Sequence, residues 1–357
     1  MKTQILAFLT LLFLCASCSD DNSDPLEKKT ASYDVYLGGT DNYKACYWKN
    51  GQQTFVPGGE NLNGIQIVVD NNDIYLLATN IEPITQAKEW YFWKNGVKHN
   101  VAEYLNVEPN TATDNDKLFL ASQIKVNNGD VYFSGVIRHY NPSTGQNTYQ
   151  HCYWKNGVKT ILDSHANAIL SGGLEVFNND VYVASRKNFQ YNNPTMPSWD
   201  FGYYKNNTFH VVSNSLMFQN FIKNSSNSSE FYLSTRNPNP SYFSQYIYTV
   251  KDIISGNDIQ IPANIIQSGI TDMHTEGTDK YYIGKDFYFK NNTLVQMNNS
   301  NGFNTISHFA VKDQNIYTTR LHSSMSSVKF YINDVEAQSL PDISKGCFNS
   351  IFVVKNN

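Results

Sequence analysis

Four arginines stand apart from 23 lysines by where they fall in the chain. Arg138, Arg186, Arg236 and Arg320 each follow, by three to six residues, the tyrosine of a recurring Asp-Val-Tyr-like triplet. A guanidinium is a rigid fork of donors that meets a carboxylate or sulfate with two hydrogen bonds at once. An arc of them predicts a site for an acidic ligand, with Arg186 and Arg236 foremost. The alternative is structural: each arginine bridges to carbonyls or a carboxylate of the adjoining repeat. Aromatic residues gather in the same stretches. Phe189, Tyr191 and Trp199 fall in a segment read as a loop from Lys187 to Asp200, with Tyr140, Tyr149, Tyr242 and Phe243 in neighbouring loops. Exposed rings offer flat faces on which sugars stack, beside polar groups that fix the hydroxyls; the alternative is loop packing on loop.

Catalytic and metal-binding patterns were sought among the remaining reactive residues. The eight histidines make no zinc-protease pair, no His-x-His and no Cys-His cluster, and neither a Gly-x-Ser-x-Gly elbow nor a phosphate-binding glycine loop occurs. The sequence thus predicts no catalytic residue, no metal and no cofactor. Glu82, Glu89, Glu103, Glu108, Asp163 and Asp200 could supply a carboxylate pair for glycoside hydrolysis, but only their spacing in the fold would decide that. Asp114-Asn115-Asp116 lacks the other ligands of a calcium loop and reads as a solvated turn.

The elements that must position these residues come from a repeat. Tyr36, Tyr75, Tyr132, Tyr182, Tyr232, Tyr282 and Tyr317 each end a polar-apolar-Tyr triplet, at a mean spacing of about 47 residues. That period matches a four-stranded propeller blade. Tyr47-Trp48-Lys49-Asn50-Gly51, Phe92-Trp93-Lys94-Asn95-Gly96 and Tyr153-Trp154-Lys155-Asn156-Gly157 each close on Asn-Gly, the pair that takes positive φ in a type I′ hairpin. Each unit reads as strands A to D, with tight A–B and C–D turns. The triplet tyrosines and Trp48, Trp93 and Trp154 recur at fixed positions and are expected to pack between blades. The expected fold is all-β: a seven-bladed propeller over residues 33–357, with the last residues, 351–357, supplying the missing strand A of blade 1. Variable length then falls in the B–C and D–A connections at one end, where Pro83, Pro142, Pro194, Pro197, Pro238 and Pro240 stiffen the longer B–C loops. Counting back from strand B places Lys125 and Glu175 at matching positions of adjacent blades, which predicts an ion pair.

The first residues carry an address. Lys2, the apolar run from Ile5 to Leu14 and Cys15-Ala16-Ser17-Cys18 form a signal peptide too short to span a bilayer. Ala16-Ser17-Cys18 resembles a bacterial lipobox, which implies cleavage after residue 17 and acylation of Cys18, with residues 18–32 as an acidic tether. Cys46, Cys152 and Cys347 are too few and too scattered for a disulfide framework, and Cys46 and Cys152 read as buried strand thiols. The DVYVAS and YWKNG motifs behind a lipobox resemble a group of uncharacterised Bacteroidetes surface lipoproteins built from propeller repeats. That resemblance covers residues 33–357, implies the outer membrane with the domain facing outward, and transfers no activity.

With 27 basic against 31 acidic residues the net charge is −4, so no polyanion is expected as partner and nucleic acid is excluded. The membrane is contacted through the N-terminal lipid only. The reading is a lipid-anchored surface module that binds a glycan or another, acidic, extracellular ligand without catalysis. One alternative is a carbohydrate-active enzyme with carboxylates on the loop-rich face. Another is an interaction subunit docked on an outer-membrane protein.

Overall fold

The computed structural model describes the backbone of residues 33–81, 88–108, 116–166, 173–190, 198–215, 220–224, 231–239, 242–298 and 301–356. Side chains are described throughout these except at 116, 189–190, 198 and 214–249. Cys18 and Tyr191 lie outside the described residues. Val35–Val353 form one compact unit; the chain's two ends, Met1–Asp34 and Val354–Asn357, group separately.

The protein is an all-β propeller of four-stranded antiparallel blades, and the described strands fall into seven such sheets. The first combines β1 (Tyr33–Asp41), β2 (Lys44–Lys49) and β3 (Gln52–Glu60). The second runs β4 (Leu62–Asp70), β5 (Asp73–Asn80), β6 (Trp90–Lys94), β7 (Val97–Asn100). The third runs β8 (Asp116–Asn127), β9 (Asp130–Asn141), β10 (Gln146–Lys155), β11 (Val158–His165). The fourth is β12 (Leu174–Phe177), β13 (Asp180–Gln190), β14 (Ser198–Lys205), β15 (Thr208–Ser215). The fifth, traced mainly by backbone pairing, is β16 (Asn220–Asn224), β17 (Phe231–Asn239), β18 (Tyr242–Asp252), β19 (Asp258–Ile259). The sixth is β20 (Asp272–Glu276), β21 (Asp279–Ile283), β22 (Phe287–Lys290), β23 (Thr293–Gln296). The seventh is β24 (Phe303–Lys312), β25 (Asn315–His322), β26 (Val328–Ile332), β27 (Val335–Leu340). The last strand, β28 (Cys347–Lys355), lies beside β1, giving the order β28-β1-β2-β3. Six blades are thus described as packed units with their side chains, and the fifth chiefly as a backbone sheet.

The repeat motif proves to be a clasp at the C–D turn. Asn50, Asn95, Asn156, Asn206, Asn291 and Asn333 take φ between 47° and 55°. Each accepts, through Oδ1, the backbone N–H of the middle residue of its own strand B triplet: Val35, Ile74, Val131, Val181, Lys280 and Ile316. In four blades Nδ2 also donates to the strand B aspartate, and the adjoining lysine binds the same carboxylate, as Lys155 does Asp130 at 2.7 Å. Hydrogen bonds from Asn95 and Lys94 hold the Asp73 carboxylate below its ordinary range, and those from Lys155 and Asn156 do the same for Asp130. The lysine ammonium also sits 5.4 to 5.8 Å from the centre of the triplet tyrosine ring in five blades; in the sixth sheet that ring is Tyr281, because the clasp on Asp279 and Lys280 sets the triplet one residue earlier than Tyr282, the position expected from the sequence. Asp, Tyr, Lys and Asn therefore recur because they tie strand B to the end of strand C.

Burial does the rest. Trp48, Trp93 and Trp154 are buried, as are Tyr75, Tyr132, Tyr182, Tyr281 and Tyr317. The apolar clusters span neighbouring sheets: Leu77 and Phe92 meet Phe133 and Trp154, and Tyr132 meets Leu174 and Val183. Burying such large rings against the next sheet is the main favourable term holding blade to blade. Inner strands are also stitched by side chains onto the backbone of the following inner strand. Ser350 Oγ accepts Ile67 N–H, Gln66 Oε1 accepts Ile124 N–H, and Gln123 Oε1 accepts Leu174 N–H.

Candidate functional site

The third, fourth and fifth sheets carry the longest B–C arms. In the third sheet, β9 and β10 have 12 and 10 residues, against 8 and 5 for the same strands of the second. Segments read as loops are therefore largely extended hairpin. Tyr140 lies on β9, Phe189 on β13, Trp199 on β14 and Tyr242 on β18. Prolines suggested loops here, yet the described residues that flank them pair as ladder, with Tyr140 opposite Asn147 and Trp199 opposite Ser215. Trp199 is only 7% exposed, so its ring is part of the packing and offers no open stacking face. Tyr140, at 37%, does present its ring to solvent.

Across the loop-rich end of the third sheet, Lys117 lies opposite Arg138, Arg138 opposite Tyr149, and Tyr149 opposite His165. Partners directly opposite in antiparallel strands point to the same face. One row thus brings two basic side chains, an aromatic ring and a histidine to one side of the sheet. Asp163, two residues before His165 and hence on that side, shows which side: its Oδ2 accepts the Tyr204 hydroxyl of the fourth sheet at 2.8 Å and lies 3.7 Å from Lys187 Nζ. The row therefore faces the seam between the two sheets. From the fourth sheet, Arg186 lays its guanidinium 4.4 Å from the centre of the Trp199 ring. His165 Nε2 is 3.1 Å from Asp163 Oδ2, and its ring meets the Trp199 ring edge to face at 6.4 Å.

Deeper in the seam the polar groups are consumed by the packing. His151 Nδ1 and Ser185 Oγ are 2.9 Å apart and both residues are buried. Burial pushes the His151 imidazole down to about 4, so it is neutral at physiological pH. Burial would raise Asp163, but hydrogen bonds from Tyr204 and the Ser164 N–H, with the charges of His165 and Lys187, hold its carboxyl below the usual range. At the inner strands Lys125 Nζ meets Glu175 Oε1 at 2.6 Å, the ion pair that the repeat register predicts. Cys46 and Cys152 are buried free thiols, and burial pushes Cys46 up to about 12, which leaves it a poor nucleophile.

The four arginines have different surroundings. Arg320 is 1% exposed: its Nη2 pairs with Asp334 at 2.6 Å, Nε donates to Thr318 Oγ1, and the guanidinium lies 4.1 Å from the Tyr331 ring centre. It is a tie between strands of the seventh sheet. Arg138 faces the seam, and Arg186, on the strand face opposite Lys187, reaches it only through the Trp199 ring that meets His165. Arg236 lies on β17 opposite Tyr248, where only the backbone is described. Register alone did not distinguish the tie from the seam cations; burial does. Among the described residues no group of His, Cys, Asp and Glu is arranged to hold a metal ion.

No family model and no curated protein matches the chain. Solved structures resemble it in fold. An acylaminoacyl peptidase in complex with Z-Gly-Gly-Phe-chloromethyl ketone is similar with TM-score 0.54 and 10% identity, over 87% of this chain and 51% of that one. The Pyrococcus horikoshii acylaminoacyl peptidase gives TM-score 0.53 at 10% identity, over 87% of this chain and 51% of that one. The β-propeller domain of the trilobed protease from Pyrococcus furiosus gives TM-score 0.53 at 10% identity, over 85% of this chain and 91% of that domain. The chain spans about half the length of the acylaminoacyl peptidases it matches. At this identity the likeness defines a class, the β-propellers, and carries no activity across.

Proposed function

We propose that the protein is a lipid-anchored, cell-surface binding module that holds an acidic glycan, or another acidic extracellular ligand, without catalysis. The observation that carries this reading is the seam where Lys117, Arg138 and His165 of the third sheet face Lys187 of the fourth, with Asp163 as the facing anion and Arg186 set behind the Trp199 ring that meets His165. Strand-mounted cations are held in place before a ligand arrives, which reduces the ordering cost of binding. Trp199 serves by orienting Arg186, a role its burial suits better than sugar stacking. Arg236, Phe189, Tyr191 and Tyr242 belong to the same sector by sequence and extend the proposed surface.

The anchor is Cys18, read from the lipobox-like Ala16-Ser17-Cys18, and the acidic tether after it suits display on the outer face of an outer membrane. No helix among the described residues is long and apolar enough to cross a membrane. We further infer that the seven sheets are the blades of one ring, which β28 closes by completing the first. An array of neutral, uronate-bearing and sulfated glycans, probed with the full chain at low and high salt, tests the function. Acidic glycans should bind at low salt and be released at high salt, because exposed charges are screened. An Arg186→Ala, Lys187→Ala variant should lose that binding while keeping its fold. An array on which no acidic glycan binds would overturn the reading.

A further inference from the structure

A separate cleft of about 360 Å³ opens at the same loop-rich end, between the first and second sheets and the segment leading into β28. Its volume falls at the low end for small-molecule sites, room for one or two sugar rings. Asn63 on β4 and Asn349 on β28 line it, with Tyr43 and Lys88.

The orientation of the two amides is dictated by the backbone. Gly64 O can only accept, so the Asn349 atom 2.7 Å away is Nδ2, and that same Nδ2 donates to Asn63 Oδ1 at 2.9 Å. Asn63 Oδ1, so fixed, can only accept, which makes the Thr40 hydroxyl its donor at 2.6 Å while Thr40 Oγ1 accepts Gly64 N–H. Asn63 Oδ1 is therefore filled twice. Its Nδ2 donors and Asn349 Oδ1 have no hydrogen-bond partner among the described residues. Two hydrogen-bonded amides lining the cleft thus offer one donor group and one acceptor of fixed identity, a set that complements a sugar's hydroxyls, one accepting and one donating.

A second observation concerns Tyr43. It follows Asn42 in the turn between β1 and β2, and both have positive φ, 48° and 60°. The second such position suits glycine and is uncommon for a bulky residue. Tyr43 is held there by Tyr43 N–H to Lys345 O at 2.9 Å and Asn61 N–H to Tyr43 O at 2.7 Å. Its ring remains 44% exposed at the cleft. An unfavourable conformation that keeps an aromatic face open beside an amide pair is strain placed where a ligand would use it.

We propose that this cleft binds a neutral sugar unit, its adjacent hydroxyls on Asn63 and Asn349 and its apolar face against Tyr43. The proposal rests on the reading of the chain as a glycan-binding module and adds to it a subsite whose recognition does not depend on charge. Calorimetric titration of the full chain with maltotriose, mannotriose, galactotriose and chitotriose tests it. At least one should bind with an affinity unchanged between low and high salt. Asn63→Asp keeps the acceptor for Thr40 and Asn349 and replaces only the cleft-facing donors. It should weaken binding about tenfold or more, the equivalent of one lost hydrogen bond that leaves a buried partner unpaired. Tyr43→Asn, which suits the positive φ, should also weaken it, whatever Asn63→Asp does to stability. If acidic glycans bind but none of the four trisaccharides does, the cleft proposal falls and the module reading stands. If neither binds, both fall. If a trisaccharide binds equally well to wild type, Asn63→Asp and Tyr43→Asn, it binds elsewhere and the cleft proposal is overturned.

Discussion

Arg186 and Arg320, four and three residues after their triplet tyrosines, lie on opposite faces of their strands and differ in what surrounds them. Arg320 is enclosed by Thr318, Tyr331, Met297 and Asp334. Arg320→Ala should therefore lower stability by about 2–3 kcal/mol in a denaturant titration; the cost stays below that of a fully buried pair because Asp334 can rehydrate. Arg186→Ala, in contrast, should shift acidic-ligand affinity more than melting temperature. His151 supplies a pH test. Its folded value of about 4 lies below the ordinary 6.5. Between those values the unfolded chain holds the extra proton, so stability is fully present above pH 6.5 and is lost as pH falls toward 4, by up to roughly 3 kcal/mol. Urea midpoints measured across that window should fall for the wild type, and His151→Gln should flatten the slope. An unchanged slope would mean that another group governs the acid response.

At the scale of the element, the Lys-Asn-Gly turn is explained by the bonds it makes. Asn156 caps the Val131 N–H at 2.8 Å and donates to Asp130, in a backbone conformation that asparagine tolerates. Asn156→Ala removes both bonds and adds strain, and should cost about 1–3 kcal/mol by thermal or chemical unfolding. Asn291→Ala should behave likewise in the sixth blade, since Asn291 caps Lys280 N–H and donates to Asp279. Equal stability of these variants and the wild type would show that the clasp is incidental. The same clasp explains the worn seventh copy. Asn315 stands where other blades have aspartate and still receives Asn333 Nδ2 at 2.9 Å, so the hydrogen bonds persist after the lysine is replaced by Ile332.

For the molecule as a whole, the placement of β28 beside β1 joins sequence-distant segments in one sheet. Phe348 is buried and packs edge to face against Trp48 at 4.8 Å, and Asn349 bonds Asn63 of the second sheet. Removing residues 351–357 should therefore lower the melting temperature of the entire domain and broaden the transition, by exposing paired edges. A truncated chain that melts like the parent would count against closure of a ring by this strand. The anchor is tested independently of the fold. Cys18→Ala should shift the protein from the membrane to the soluble fraction or stall its processing, whereas Cys15→Ala should do neither.

The chain alone determined those features that depend on neighbours in sequence. Period, hairpin turns, the four-stranded blade and the Lys125–Glu175 pair follow from alternation, from Asn-Gly conformational preference and from counting along a regular repeat. Trp199 was legible as an aromatic residue outside the repeat but not as a buried one, because whether a hairpin continues past its prolines depends on pairing partners far along the sheet. The seam of Lys117, Arg138, His165, Arg186 and Lys187 was half legible: the arginine register showed in the sequence, while the lysines and His165 carried no local signal. Asn63 and Asn349 lie 286 residues apart, and neither belongs to any motif. Only the tertiary fold sets them 2.9 Å from each other, since the adjacency of β28 and β4 is fixed by packing of successive blades rather than by local preference.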